Sequence, residues 1–136
     1  MKGGDPLDPP ANAWALVGFT GRCDLAWLRL LKPGFRHCFA LVHDGRRWLL
    51  LDPLAHGLAL RALDESWQAE LLEALLAEGY LLVPVRPRPR PRRCAPLAPF
   101  TCVEAVKRLL GVRSRRVLTP WQLFRHLIDA DVGKKT

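Results

Sequence analysis

Apolar and polar positions follow two different periods along this chain. Ala13 to Phe19 (AWALVGF) is a short, nearly unbroken apolar run, which predicts a buried strand. His37 to His43 and Arg46 to Asp52 are two further runs, and they flank Asp44-Gly45. A two-residue Asp-Gly connection between apolar runs predicts a β-hairpin, because a type I′ turn needs positive φ at both positions. Pro53 is expected to end the second of these strands, since proline offers no amide donor. Leu58 to Leu63 and Tyr80 to Val85 predict two more strands.

Elsewhere the spacing is helical. Asp24 can cap a short helix from Leu25 to Leu31, which Pro33-Gly34 stops. Asp64 or Ser66 starts a longer helix to about Glu78, with Trp67, Leu71, Leu72, Leu75 and Leu76 on one broad face and Gly79 as its terminator. Thr101 and Glu104 have the spacing of a capping box, followed by Val103, Val106, Leu109 and Leu110 as the apolar face and Gly111 as the stop. Thr119, Pro120 and Gln122 repeat the capping pattern for a last helix to about Ala130, burying some combination of Trp121, Leu123, Leu127 and Ile128.

These elements predict an α+β fold in which a small antiparallel sheet packs against helices. The domain is expected over residues 13–130, after a flexible polar arm at 1–12 and before a basic tail at 131–136. A Pro/Arg-rich linker, residues 84–99, interrupts it as an extended polyproline stretch. A length of 136 residues suits one domain with one core, and 49% hydrophobic with 25% charged residues suits a folded chain. No run approaches the ~18 to 20 apolar residues of a membrane helix. The amino terminus has no apolar signal-peptide core, so the protein is expected to stay inside the cell.

The net charge of +8 is unevenly placed. Arg86, Arg88, Arg90, Arg92 and Arg93 carry five of those charges and Lys134 and Lys135 two more, leaving the rest of the chain near neutral. The pattern fits contact with a polyanion such as nucleic acid or a cell-wall polymer, or else a solvated spacer. No aromatics interleave with the arginines, so no base-stacking platform is evident. The four cysteines, Cys23, Cys38, Cys94 and Cys102, show no CxxC spacing, so neither a zinc site nor, without a secretory signal, a disulfide framework is expected. No cofactor is implied.

The chemistry-bearing candidate is Cys102. With Thr101 at the N-cap it becomes the first helical residue, where outward-pointing amides and the positive end of the macrodipole favour a thiolate. The same amides could hold the oxyanion of an acyl-transfer intermediate. The alternative is a small buried packing residue. A two-residue hairpin loop would set His37 opposite Asp52, and cross-strand partners share a face. An imidazole beside a carboxylate is the pairing a general base needs. A one-residue slip would separate the two onto opposite faces. His43 lies roughly 20 Å along the strand from His37 and belongs to another neighbourhood. His56 could approach from a loop, while Cys38 and Cys23 are expected to serve packing.

The segments Pro33-Gly34-Phe35-Arg36-His37-Cys38-Phe39-Ala40-Leu41-Val42, Leu50-Leu51-Asp52 and Phe100-Thr101-Cys102-Val103-Glu104-Ala105-Val106 resemble the circularly permuted NlpC/P60 branch of papain-like proteins, which includes the lecithin:retinol acyltransferase-like enzymes. In that branch a His opens one strand, a polar residue lies on the next, and a Cys begins a later helix. The resemblance implies a papain-like arrangement with Cys102 as nucleophile, His37 as base and Asp52 as the orienting residue. The acyltransferase group often has His where Asp52 stands and Asn where Thr101 precedes the cysteine. The Phe-Thr-Cys-Val-Glu-Ala-Val and Thr-Pro-Trp-Gln-Leu blocks are also similar to small uncharacterised proteins of phage and prophage gene clusters. That setting implies the cytoplasm of a bacterial host, or a virion.

The expected activity is that of a cysteine hydrolase or acyltransferase on an amide or ester, with a peptidoglycan peptide or a phage protein as substrate. The competing expectation is a non-catalytic phage assembly or adaptor protein on the same scaffold. A polyanion-binding role for the arginine stretch ranks behind both.

Overall fold

The computed structural model describes residues 8–21, 32–54, 57–89 and 101–132. The helix expected at 25–31, and Cys23, His56, Arg90, Arg92, Arg93, Cys94, Lys134 and Lys135, lie outside the described residues. The strands are β1 (Trp14–Thr20), β2 (His37–His43), β3 (Trp48–Leu54), β4 (Gly57–Leu63) and β5 (Leu81–Val85). The helices are α1 (Glu65–Ala77), α2 (Cys102–Leu110) and α3 (Pro120–Val132). The strands form one antiparallel sheet in the order β4-β3-β2-β1-β5. The α+β class expected from the pattern is the class observed.

Strand alternation divides the core into two layers. Ala15, Val17, Phe19, Cys38, Ala40 and Val83 meet Val103, Val106 and Leu110 of α2 and Leu123 and Leu127 of α3. On the other face Leu16, Phe39, Leu41 and Trp48 meet Leu71, Leu72 and Leu75 of α1. The apolar face of α1 is narrower than its sequence suggests, because Leu76 is 60% exposed. The Trp67 side chain lies outside what the structure describes. In α3, Leu123 and Leu127 are buried, Trp121 partly so, and Ile128 points outward.

Gly18 pairs directly with Phe39 across β1 and β2, and a Cβ at Gly18 would overlap the Phe39 ring. Phe39 is itself buried against Tyr80, with ring centroids 5.7 Å apart, so the ring has little room to retreat. Gly18→Ala should therefore lower stability by about 1–3 kcal/mol through overpacking. Urea denaturation checks this, and shortening the ring with Phe39→Leu in the same chain should return part of the loss.

The hairpin differs from expectation. Observed pairs run from Ala40–Leu51 to His43–Trp48, so the loop is the four residues 44–47 and the register is shifted by two. No non-glycine residue has positive φ among the described residues, which excludes a type I′ turn at Asp44. Instead the Asp44 carboxylate accepts hydrogen bonds from the amides of Arg46 and Arg47, each at 2.8 Å. This side-chain turn wraps two extra residues, and Gly45 alone takes positive φ, at 95°. A slip of two preserves the parity of the strand, so His37 and Asp52 remain on the same face as diagonal neighbours. Pro53 does not end β3, which continues to Leu54 through a Pro53–Leu58 pair with β4. The β2 pairing stops at Leu51, so on that side Pro53 has no amide to supply.

The proline-arginine stretch also begins differently from the expected linker. Pro84 and Val85 belong to β5, where they pair with Leu16 and Ala15. Arg88 then donates its amide to the Leu110 carbonyl at 3.0 Å, satisfying one of the unpaired acceptors at the end of α2. Gly111 closes that helix at φ 74°, and a side chain there would press on the Arg88 carbonyl.

Candidate active site

Cys102 is the first residue of α2, as the capping pattern predicts. Thr101 is extended, and its hydroxyl accepts a hydrogen bond from the Glu104 amide at 3.1 Å. The reciprocal half of the box is replaced: the Glu104 carboxylate binds Lys107 Nζ at 3.1 Å and Arg108 Nε at 3.0 Å. The second box, at α3, forms in both directions, with Gln122 N on Thr119 Oγ1 at 3.3 Å and Thr119 N on Gln122 Oε1 at 3.1 Å. Ala105 N opens the helical ladder to the Thr101 carbonyl. The Cys102 and Val103 amides are thus the pair that helix geometry leaves facing outward.

His37 opens β2 and Asp52 lies near the end of β3. His37 Nε2 and Asp52 Oδ1 are 2.7 Å apart, with the two side chains 21% and 31% exposed. Cys102 forms a hydrogen bond with the same imidazole. Asp52 occupies Nε2, so Nδ1 remains available to the sulfur. The structure therefore brings together all three residues that the sequence singles out: Cys102, His37 and Asp52. Contact with residues from both sheet faces puts the sulfur at the sheet's rim, half-buried rather than sealed.

Electrostatics follow from this geometry. Burial alone would push His37 down, but the hydrogen bond to Asp52, then that to Cys102 and both negative charges, raise it to about 9. The Cys102 thiol is lowered to about 5, most strongly by a hydrogen bond from the Cys38 thiol. Burial opposes that effect, while the His37 hydrogen bond, the Cys38 amide and the His37 charge add to it. Between those two values the pair exists as thiolate and imidazolium. Asp52→Asn should drop the His37 value by about 1–3 units, because the amide cannot stabilise the cation as the carboxylate does. The imidazole carbon shifts of His37, followed by NMR against pH, measure it.

Cys38 is the participant that sequence reasoning missed. Its sequence setting predicts a packing residue, and it is indeed fully buried in the layer beneath α2. It also donates to Cys102. Alternation puts the residue after His37 on the opposite face of the sheet, but only the docking of α2 on that face brings Cys102 to it. His43 stands elsewhere, between Trp14 and Trp48, with its Nδ1 accepting from the Gly45 amide at 3.2 Å.

The chain matches no family model, no curated protein and no solved structure. Among the described residues, no group of three or more His, Cys, Asp or Glu could hold a metal ion, and no helix is long and apolar enough to cross a membrane. A cavity of about 590 Å³ lies at the far end of α2, lined by Trp14, Arg86, Arg88, Leu110 and His126 among others. None of His37, Asp52 and Cys102 borders it, so cavity size and chemistry point to different places. The convergence of three reactive groups is the stronger functional signal, because a cavity alone specifies no reaction.

Proposed function

We propose that this chain is a thiol hydrolase or acyltransferase acting on an amide or ester. The observation that carries it is one imidazole held by Asp52 at Nε2 and hydrogen-bonded to Cys102. The chain order of histidine, aspartate and helix-opening cysteine supports a permuted papain-like relationship.

In this reading the Cys102 thiolate attacks the carbonyl carbon, and the carbonyl electrons move to oxygen. The outward amides of Cys102 and Val103 hold that oxyanion. The tetrahedral species collapses, and His37 Nδ1–H gives its proton to the departing amine or alcohol. His37, now neutral, removes a proton from water or from an acceptor hydroxyl or amine, which attacks the thioester. Collapse releases the acid or transferred acyl product and restores the thiolate and the imidazolium. Asp52 keeps the imidazole in the tautomer and orientation that face the sulfur.

The test uses p-nitrophenyl acetate at pH 7. Intact mass spectrometry should find a single acetyl group on Cys102, absent from Cys102→Ala. His37→Ala should slow its loss to water. A wild-type chain that neither acquires an acetyl group on Cys102 nor releases p-nitrophenol faster than Cys102→Ala would remove the catalytic reading in favour of a scaffold role.

A further inference from the structure

Cys38 has a second consequence. Its side chain is fully buried, as are those of Ala40 and Val106 in the same layer. Cys102 packs against that layer from the mouth of α2 and is partly open to solvent. Two thiols on separate elements, a strand and a helix start, are therefore in hydrogen-bond contact, and only one can be reached from outside.

We propose that Cys102 and Cys38 are a peroxide-responsive pair, in which Cys102 is oxidised first and Cys38 resolves it as an intramolecular disulfide. The Cys102 thiolate attacks one oxygen of the peroxide, the O–O bond breaks, and with one proton the products are a sulfenic acid and water. Cys38 sulfur then attacks the Cys102 sulfur. An S–S bond forms, the S–O bond breaks, and the Cys38 proton leaves with the hydroxide as a second water. The sum is two thiols and one peroxide giving one disulfide and two waters.

Burial decides the order of events. Peroxide meets the half-exposed sulfur, while the packing that excludes it from Cys38 preserves a reduced resolving thiol. Oxidation also releases that thiol. The negative sulfur that accepts the Cys38 proton in the resting state is gone once Cys102 carries oxygen. The hydrogen-bond contact must shorten to about 2.05 Å, a movement that falls on the residue at the open end of a helix rather than on a central strand. The disulfide would occupy the nucleophile and spare it from sulfinic acid. The inference rests on the contact of a buried thiol with a half-exposed one and not on turnover, so it stands or falls separately from the hydrolase proposal.

The experiment uses Cys23→Ser/Cys94→Ser, which leaves Cys38 and Cys102 as the only thiols. Sub-millimolar hydrogen peroxide should lower the intact mass by about 2 Da, with both thiols lost together and both restored by dithiothreitol. With Cys38→Ala or Cys38→Ser added, the mass should instead rise by about 32 Da and resist dithiothreitol, as sulfinic acid does. In the wild-type chain, chymotryptic cleavage after Phe100 separates Cys94 from Cys102 and reads the same crosslink. Gain of oxygen at Cys102 while Cys38 remains alkylatable, or no reaction of either sulfur, would overturn the proposal.

Discussion

Iodoacetamide should label Cys102 along a pH profile whose midpoint lies near 5, where the thiol ionises, and not near the ~8.5 of a free cysteine. Two effects of opposite sign set the rate. At pH 6 the thiolate fraction of Cys102 exceeds that of a free thiol by about 300-fold, but a more acidic thiol is a weaker nucleophile by about 40-fold at a Brønsted slope near 0.45. Cys102 should therefore react about 5- to 10-fold faster than glutathione at pH 6 and more slowly than it at pH 9. That crossing distinguishes an ionised cysteine from one that is simply exposed. Cys38→Ala and His37→Ala should each move the midpoint upward, since both partners favour the charged form. A rate that climbs only through pH 8 to 9 in the wild-type chain would show a protonated thiol and sink the nucleophile.

The same shifts fix how the pair contributes to stability. His37 is raised above its usual ~6.5, so its contribution is full below that value and disappears as pH rises through about 9. Cys102 is lowered, so its contribution is full above ~8.5 and disappears as pH falls through about 5. The gap in stability between the wild-type chain and Cys102→Ala should accordingly widen from pH 5 toward pH 8.

Most of the site was legible because its parts are local signals. Thr101 and Glu104 announce the start of α2 from four residues, and that alone places Cys102 in a helical first turn. The His37–Asp52 partnership follows from hairpin arithmetic even though the loop is four residues long and not the expected two. The Asp44 carboxylate selects a longer loop, but the resulting shift is even, and face parity survives an even shift. The contact between Cys38 and Cys102 was not legible, since it depends on where α2 docks across the sheet, and no short pattern encodes that. The burial of Lys107 belongs to the same class. Its periodicity reads as an ordinary basic residue near a helix end, and only tertiary placement makes it 4% exposed.

Glu104→Ala should be among the most damaging single substitutions in α2, lowering stability by about 3–5 kcal/mol. Lys107 is buried, and its ammonium has two partners given by the structure: Glu104 Oε2 at 3.1 Å and the Val117 carbonyl at 3.0 Å. Removing the carboxylate leaves a buried cation with a single neutral acceptor. Arg108 meets the same carboxylate from a half-exposed position, so its own loss matters less. Burial pushes Glu104 up, but Arg108 and Lys107 together hold it below the usual carboxylate range. The stabilisation is thus present above about pH 4.3 and is lost as pH falls through the lowered value. Replacing both partners, as Glu104→Gln with Lys107→Met, should cost far less than Glu104→Ala, because no unpaired charge remains inside. Urea denaturation of Glu104→Gln, Lys107→Met and the double variant gives the coupling. Cys102 alkylation at pH 6 supplies a second measure, because Lys107 fastens α2 to the segment before α3 and so holds the sulfur against His37. A Glu104→Ala chain as stable as the wild type would mean that Lys107 finds water, and the fixed seat for Cys102 would need another explanation.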